Sequence, residues 1–382
     1  MTQLLRSSRK SWNTLILVCL FSGIANAQNF TTFREWSVPT PASQPLYMTV
    51  SGNNGVYFAE QFGGKIGFLD TNKDVITEWT VPLGSEPTGA VPQGQHVAFA
   101  EENGHVAVLE PNGSTLTEWE VPLIQGFRLP LGVATQGKNL FFTDFLQGVI
   151  GVLNTSTNEI TLWSMPGGPT RRPNQMVLAG PSSGLQAWIA DSVGLISMLD
   201  PATNTFTEWR LPSISVQPVP QNVALAADGT VIFNDFFDGT VGVLSPVSNL
   251  IREWTVPTAG SSPVNVGVLD RGVVAFAEQF GNRIGTLDLG APPDLVVAVT
   301  PIITTVTPVT FVVQPQVTVV PRTITPVTPT VTGASRVVTG GFVEYIVPTP
   351  ASGPVGLSIN SNGAILFTES SFAGNRIGIL EK

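Results

Sequence analysis

One short phrase recurs seven times along this chain, and a repeat of its length leaves few folds open. An aromatic residue, preceded by Glu or Leu and followed three residues later by Pro, occurs at Glu35-Trp36, Glu78-Trp79, Glu118-Trp119, Leu162-Trp163, Glu208-Trp209, Glu253-Trp254 and Glu344-Tyr345. The prolines are Pro39, Pro82, Pro122, Pro166, Pro212, Pro257 and Pro348. Successive tryptophans are 43, 40, 44, 46 and 45 residues apart, and only the step of 91 from Trp254 to Tyr345 departs from the rule. A period of 40–46 residues filled with β-type segments is that of a propeller blade of four strands. Asp70 to Trp79, Glu110 to Trp119, Asn154 to Trp163, Asp200 to Trp209 and Ser245 to Trp254 are each nine residues, the mark of a fixed hairpin before the outer strand.

Within a repeat the order is an inner strand after the Pro-rich loop, a strand of large apolars such as Val56-Tyr57-Phe58-Ala59 ending in Glu60, a third strand such as Lys65 to Leu69, and the outer strand with the tryptophan. The chain begins with an outer strand, Phe33 to Val38, and ends with a third strand, Gly374 to Leu380. The two ends are therefore expected to knit the seventh blade, which removes two free sheet edges. The expected fold is all-β: a single seven-bladed propeller over residues 28–290 and 341–382, with four antiparallel strands per blade.

The anomalous step locates an insertion. Asp288 to Tyr345 is 57 residues where nine is usual, an excess of 48. Residues 291–340 repeat Thr-Pro at Thr300-Pro301, Thr307-Pro308, Thr325-Pro326 and Thr328-Pro329, with Asp294, Arg322 and Arg336 as the charges. That composition predicts extended, polyproline-like or disordered chain. An extra hairpin around Phe311-Val312-Val313 is the alternative. The insertion is expected to leave the ring on the face opposite the Pro-rich loops.

Arg6, Arg9 and Lys10 precede an apolar run from Leu15 to Phe21, and Ala25-Asn26-Ala27 offers a cleavage site. Residues 1–27 read as a signal peptide, so the mature protein is expected outside the cell or in the periplasm, with no membrane span. Removing three positive charges takes the net charge from −9 to −12, which disfavours nucleic acid as a partner. Cys19 lies in that segment, and its loss removes thiol chemistry from the mature chain. A monomer is expected, with an unidentified small molecule or an extracellular protein as its partner.

Seven acids occupy one repeat position, at the end of the second strand: Glu60, Glu101, Asp144, Asp191, Asp235, Glu278 and Glu369. They suggest either a carboxylate ring at the channel mouth, able to hold a cation, or acids that accept backbone N–H groups in their own loops. Phe62, Phe145, Phe236, Phe237, Phe280 and Phe372 follow them and offer either an apolar groove or packing between blades. Arg128, Arg171 and Asn174 lie in or beside the Pro-rich loops and are candidates on the same ligand face. Lys65, Arg283 and Arg376 open third strands and are expected to pair with repeat acids. The two histidines, His96 and His105, fall at opposite ends of one blade and cannot act as a pair. No catalytic residue and no metal ligand is assigned from the residues alone.

The wording Ile-Thr-Glu-Trp-Thr-Val-Pro (76 to 82), Phe-Thr-Glu-Trp-Arg-Leu-Pro (206 to 212), Gly-Asn-Arg-Ile-Gly-Thr-Leu-Asp (281 to 288) and Leu-Phe-Thr-Glu (366 to 369) resembles the streptogramin lyase (virginiamycin B lyase) group of seven-bladed propellers. The resemblance covers residues 31–290 and 341–382. It implies an elimination that opens a cyclic depsipeptide, with a histidine base and Mg²⁺ near the central channel. The histidines of that group follow the Pro that opens an inner strand. Here those places hold Leu46, Thr88, Leu131, Asn174, Gln221, Val264 and Val355, so the base that such chemistry needs near neutral pH is missing. The expected function is a secreted, non-catalytic binding propeller; a metal-assisted lyase or hydrolase on a lactone or depsipeptide-like substrate is the alternative.

Overall fold

Residues 29–52, 55–212 and 217–382 are described by a computed structural model. The expected signal peptide lies outside them. Seven antiparallel sheets form the ring. Blade 1 comprises Pro45–Ser51, Gly55–Glu60, Lys65–Asp70 and Val75–Thr80. Blade 2 begins at Pro87–Gln93, blade 3 at Pro130–Gln136, blade 4 at Pro173–Ala179, blade 5 at Pro220–Leu225, blade 6 at Pro263–Asp270 and blade 7 at Pro354–Ile359. Closure follows the expected route: the outer strand of blade 7 is Thr32–Ser37, which pairs with Arg376–Glu381 from the other end of the chain, Trp36 opposite Ile377. Among the described residues no helix is long and apolar enough to cross a membrane.

The repeat residues account for the packing. Trp36, Trp79, Trp119, Trp163, Trp209, Trp254 and Tyr345 are all buried. Four of the indoles tie neighbouring blades together by donating Nε1–H to a side chain in the next blade's hairpin: Trp36 to Asp74 and Trp119 to Asn158 at 2.9 Å, Trp163 to Asn204 and Trp209 to Asn249 at 2.8 Å. Those acceptors sit at φ 52 to 58°, the left-handed region where Asn and Asp are enriched. Second-strand phenylalanines lie across from third-strand glycines, Phe58 opposite Gly67 and Phe276 opposite Gly285. A Cβ on Gly285 would meet the Phe276 ring at 2.1 Å, so the ring occupies the place of a side chain.

The expectation of four strands per blade needs correction, because every blade has a fifth. The added strands come from the insertion, and no hairpin forms at Phe311-Val312-Val313. Leaving blade 6 after Arg283–Asp288, the chain runs back around the ring. Leu295–Ala298 pairs with the outer strand of blade 5, Ile302–Thr305 with blade 4, Val309–Val312 with blade 3, Gln316–Val319 with blade 2 and Arg322–Pro326 with blade 1. Thr330–Gly333 pairs with blade 7, and Ser335–Thr339 returns to blade 6, where it pairs with the outer strand Phe342–Ile346. The insertion is a belt of seven short strands that covers each outer edge, as free edge strands require. At the steps between blades it runs level with the hairpin turns, at the end of the blades opposite the Pro-rich loops.

Candidate functional site

Strand direction brings two sets of loops to one face: the Pro-rich loop before each inner strand and the loop after each second strand. Their backbones bond directly, Phe62 N–H to Ser43 C=O and Phe280 N–H to Ser261 C=O, both at 3.0 Å. Two loop designs divide the face into two arcs. In blades 1, 2, 6 and 7 the phrase is Ser-x-Pro (Ser43, Ser85, Ser261, Ser352), its middle residue has positive φ, and the second strand ends in Glu. In blades 3, 4 and 5 the second strand ends in Asp, whose carboxylate accepts the middle residue's N–H: Leu129 to Asp144 at 2.9 Å, Arg172 to Asp191 at 2.9 Å and Val219 to Asp235 at 3.1 Å. Asn282 and Asn375, within the Gly-Asn-Arg-Ile-Gly phrase, organise the loops from the side; Asn282 Oδ1 accepts both the N–H and the hydroxyl of Ser352.

The seven repeat acids do not form an exposed ring at the mouth. All are buried within their blades. Asp144, Asp191 and Asp235 are held by backbone N–H groups. Glu60, Glu101, Glu278 and Glu369 instead lie beside the glutamate that precedes the outer-strand aromatic: Glu78, Glu118, Glu344 and Glu35 respectively. Burial, and then the neighbouring carboxylate, pushes Glu101 and Glu278 up to about 8 and Glu369 to about 9, and Glu60 well above the ordinary range. Each of these four repeat glutamates is thereby favoured in its neutral form against its neighbour's carboxyl group. The partner glutamate takes the third-strand cation in blades 1, 6 and 7: Lys65 to Glu78 at 3.2 Å, Arg283 to Glu344 at 3.0 Å and Arg376 to Glu35 at 3.7 Å.

The basic and amide candidates separate. Arg171 is buried between Asp191 and Glu208, with Nη2 at 2.6 Å from Glu208, so its charge is committed inside blade 4. Arg128 is partly exposed and pairs with Glu120 at 2.8 Å. Asn174 is partly buried at the top of its inner strand, and its carbonyl accepts the Thr143 hydroxyl. His105 Nδ1 lies 2.9 Å from Asn103, and His96 is exposed at the far end of the same blade.

The structure gathers a different set of residues on this face. Phe62, Phe280 and Phe372 are 59%, 70% and 85% exposed, and they rim a pocket of about 340 Å³ shared by blades 1, 6 and 7. Gln44, Gln279, Ser371 and Ala351 complete much of its wall, and among the described residues no ionisable one lines it. Gln44 Oε1 is buried with no hydrogen-bond partner. Phe236 extends the aromatic surface into blade 5, edge-on to Phe280 at 5.8 Å. The sequence shows these phenylalanines by position; their exposure follows from short loops that leave no neighbour to cover them. Phe145 stacks instead under Arg172.

Among the described residues no three His, Cys, Asp or Glu side chains converge as metal ligands. The loop-face acids best placed for a divalent cation are exposed Glu86 and half-buried Glu102, which interact with each other, with Gln61 donating to Glu102. Two carboxylates with waters suit Mg²⁺, which keeps much of its hydration. The repeat did not single out this pair, because no other blade carries an acid at either position.

Taken together, the chain is a belted seven-bladed propeller with an uncharged aromatic pocket on its loop face. Residues 31–294 match the virginiamycin B lyase family, and the chain belongs to it. A streptogramin B lyase structure superposes with a TM-score of 0.69 at 18% identity, over 92% of this chain and 98% of that one. Virginiamycin B lyase from Staphylococcus aureus gives 0.68 at 16% identity, over 92% and 99%. A catalytically inactive histidine-to-alanine form of the latter enzyme with quinupristin gives 0.69 at 17%, again over 92% and 99%. At these identities the likeness shows the shared fold. A comparison with curated proteins found no match.

Proposed function

We propose that this protein is a secreted, non-catalytic binding propeller that holds an apolar or aromatic small molecule on its loop face. The observation that carries the reading is the pocket of about 340 Å³ rimmed by exposed Phe62, Phe280 and Phe372. Exposed aromatics around a concave site, with a few neutral polar groups to orient the ligand, are the usual make-up of small-molecule sites. Chemistry has less support. The inner-strand positions where the lyases carry histidine hold none here, and the repeat glutamates are buried away from the pocket. The test is a fluorescence or calorimetric screen of neutral aromatic compounds against the wild type and a Phe62→Ser, Phe280→Ser, Phe372→Ser triple variant. Binding that the triple variant loses supports the reading; equal binding by both proteins, or none by either, overturns it.

A metal-assisted lyase or hydrolase acting on a lactone or depsipeptide-like substrate is the second reading. Family membership and the Glu86–Glu102 pair favour it. Magnesium would supply Lewis-acid stabilisation of a developing negative charge, and these two carboxylates would hold it. Calorimetry with Mg²⁺, then turnover assays on the wild type and Glu102→Gln, decides the matter: no heat and no turnover removes this reading.

A further inference from the structure

The channel at the ring's axis breaks the seven-fold rule at one level. The second residue after the inner-strand Pro is Gly89, Gly132 and Gly356 in blades 2, 3 and 7, but Tyr47, Gln175, Asn222 and Asn265 in blades 1, 4, 5 and 6. Where glycine stands, space is tight: a Cβ on Gly132 would lie 2.5 Å from the Asn174 carbonyl, and one on Gly356 2.3 Å from that of Leu46. Four blades give up this close approach of inner strands and place polar side chains at the channel instead. The four side chains line a cavity of about 360 Å³.

These groups are under-used. Gln175 is 7% exposed, and its Nε2 has no partner in hydrogen-bonding geometry, although the amide lies beside the Tyr47 hydroxyl. Tyr47 comes from blade 1 and Gln175 from blade 4, nearly opposite, so the two form a bar across the channel. Asn222 Oδ1 accepts the Val266 N–H at 3.4 Å, which leaves its amide hydrogens free to face the cavity. Asn265 is 5% exposed on the next blade, and Ser358 Oγ on the one after accepts the Val50 N–H while keeping its own proton to donate. Met48, Met176, Val223 and Leu357 supply apolar wall between them. Among the described residues no charged side chain lines the cavity.

We propose that this arc of amides and hydroxyls is a second binding site, inside the channel, for a small neutral polyol no larger than a monosaccharide. Amides and hydroxyls both donate and accept, as a polyol's hydroxyls do. The absence of carboxylate, Lys, Arg and His around the cavity removes the pairing that a cation or an anion would need when desolvated. The methionine and valine walls suit the C–H faces of a sugar. The size allows it: a cavity of about 360 Å³ has room for a small polyol.

Saturation-transfer NMR and calorimetry of the whole protein with glycerol, glucose and galactose test the site. At least one should bind the wild type, weaken roughly tenfold in Gln175→Leu or Asn265→Leu, and weaken measurably in Tyr47→Phe, which keeps the shape and removes one hydroxyl. The Phe62, Phe280, Phe372 triple variant should bind as the wild type does, which separates this site from the loop-face pocket. Thermal melting identifies any variant that fails to fold, and Tyr47→Phe then carries the test. No binding by the wild type up to tens of millimolar, or equal binding by wild type and the channel variants, overturns the proposal.

Discussion

Val306 donates its backbone N–H to the carbonyl of Asn204 at 2.9 Å. Val299, Val306, Val313, Val320, Val327 and Ala334, seven residues apart, make the same bond in turn to Asn249, Asn204, Asn158, Ser114, Asp74 and Thr31, one for each of six blades. Each belt residue also packs in a cluster between blades; Val306 lies with Trp163 and Phe206, Val320 with Trp79 and Leu116. The belt is thus registered to the ring by backbone and side chain at every step. A seven-residue unit spans one blade, with Pro301, Pro308, Pro315, Pro321 and Pro329 at the steps between blades, where no ladder N–H is needed.

The belt's inward residues should therefore matter and its outward ones should not. Val320 is 3% exposed, whereas Val331 is 63% exposed. Val320→Ala removes two buried carbons and leaves a void, for a loss of about 2 kcal/mol. Val331→Ala should stay within about 0.5 kcal/mol of wild type. Chemical denaturation measures both. Asp288 N–H already meets Gly341 C=O at 3.0 Å, so a deletion of the belt can be closed by a short turn. The shortened protein should keep its sheet signal by circular dichroism, melt earlier and aggregate through its bared edges; a wild-type melting temperature would show that the belt adds nothing to stability.

Stability should fall from mildly acidic to alkaline pH. Glu101, Glu253 and Glu278 are raised to about 8, and Glu369 to about 9, mainly by burial. Unfolded glutamate titrates near about 4.3. Between that value and about 8–9 the folded state binds more protons than the unfolded one, so each rise in pH favours unfolding. The stabilisation is complete below the unfolded value and lost as pH passes through 8 to 9. Glu369→Gln, which keeps the neutral shape at every pH, should flatten the profile and melt above wild type at pH 9. Calorimetry from pH 5 to 9 checks this; a rising or flat wild-type profile would contradict the raised values.

Arg171 should prove structural. It serves two buried acids, Asp191 and Glu208, and its Nη2 also reaches Ser197 at 3.2 Å. Arg171→Met strands both carboxylates, at a cost of about 3–5 kcal/mol. The triple change Arg171→Met, Asp191→Asn, Glu208→Gln should recover much of that loss, since no net charge is left buried. Urea denaturation of the two variants and wild type distinguishes this pairing from a ligand-binding role, which would change affinity and leave the melt alone.

Ring closure and blade number were legible because a repeat of 40–46 residues, with Trp and Pro at fixed places, reflects packing that every blade must satisfy. The belt was not read, although Val299-Thr300-Pro301, Val306-Thr307-Pro308 and Val327-Thr328-Pro329 mark its seven-residue step. Thr-Pro composition in isolation means extended chain, and only the exposed outer edges of the blades turn that chain into strands. The acids misled for a related reason. Glu60 and Glu78 come from strands that are not adjacent in the sheet, so nothing in their spacing shows that they meet and share a buried site. The pocket depends on exposure: Phe62 and Phe145 follow repeat acids alike, but only Phe62 is left uncovered, while Phe145 takes Arg172 over its face.

Asn204 allows the tie between neighbouring blades to be separated into its parts. The residue holds φ at +55°, and its Oδ1 accepts the indole N–H of Trp163 at 2.8 Å. Asn204→Gly keeps the backbone conformation but leaves the part-buried indole without its partner, a loss of about 1–3 kcal/mol. Asn204→Ala loses the same bond and must also hold a left-handed backbone, which adds roughly 1 kcal/mol. Ala should therefore be the worse of the two, the reverse of the order in a helix or strand. Trp163→Phe removes the donor, and in that background the Gly substitution should lose most of its effect. Equilibrium denaturation of the three single variants and the Trp163→Phe, Asn204→Gly pair completes the cycle. If Gly costs as much in the Trp163→Phe background as in wild type, the indole bond does not join blades 3 and 4, and the stability of that seam comes from apolar contact alone.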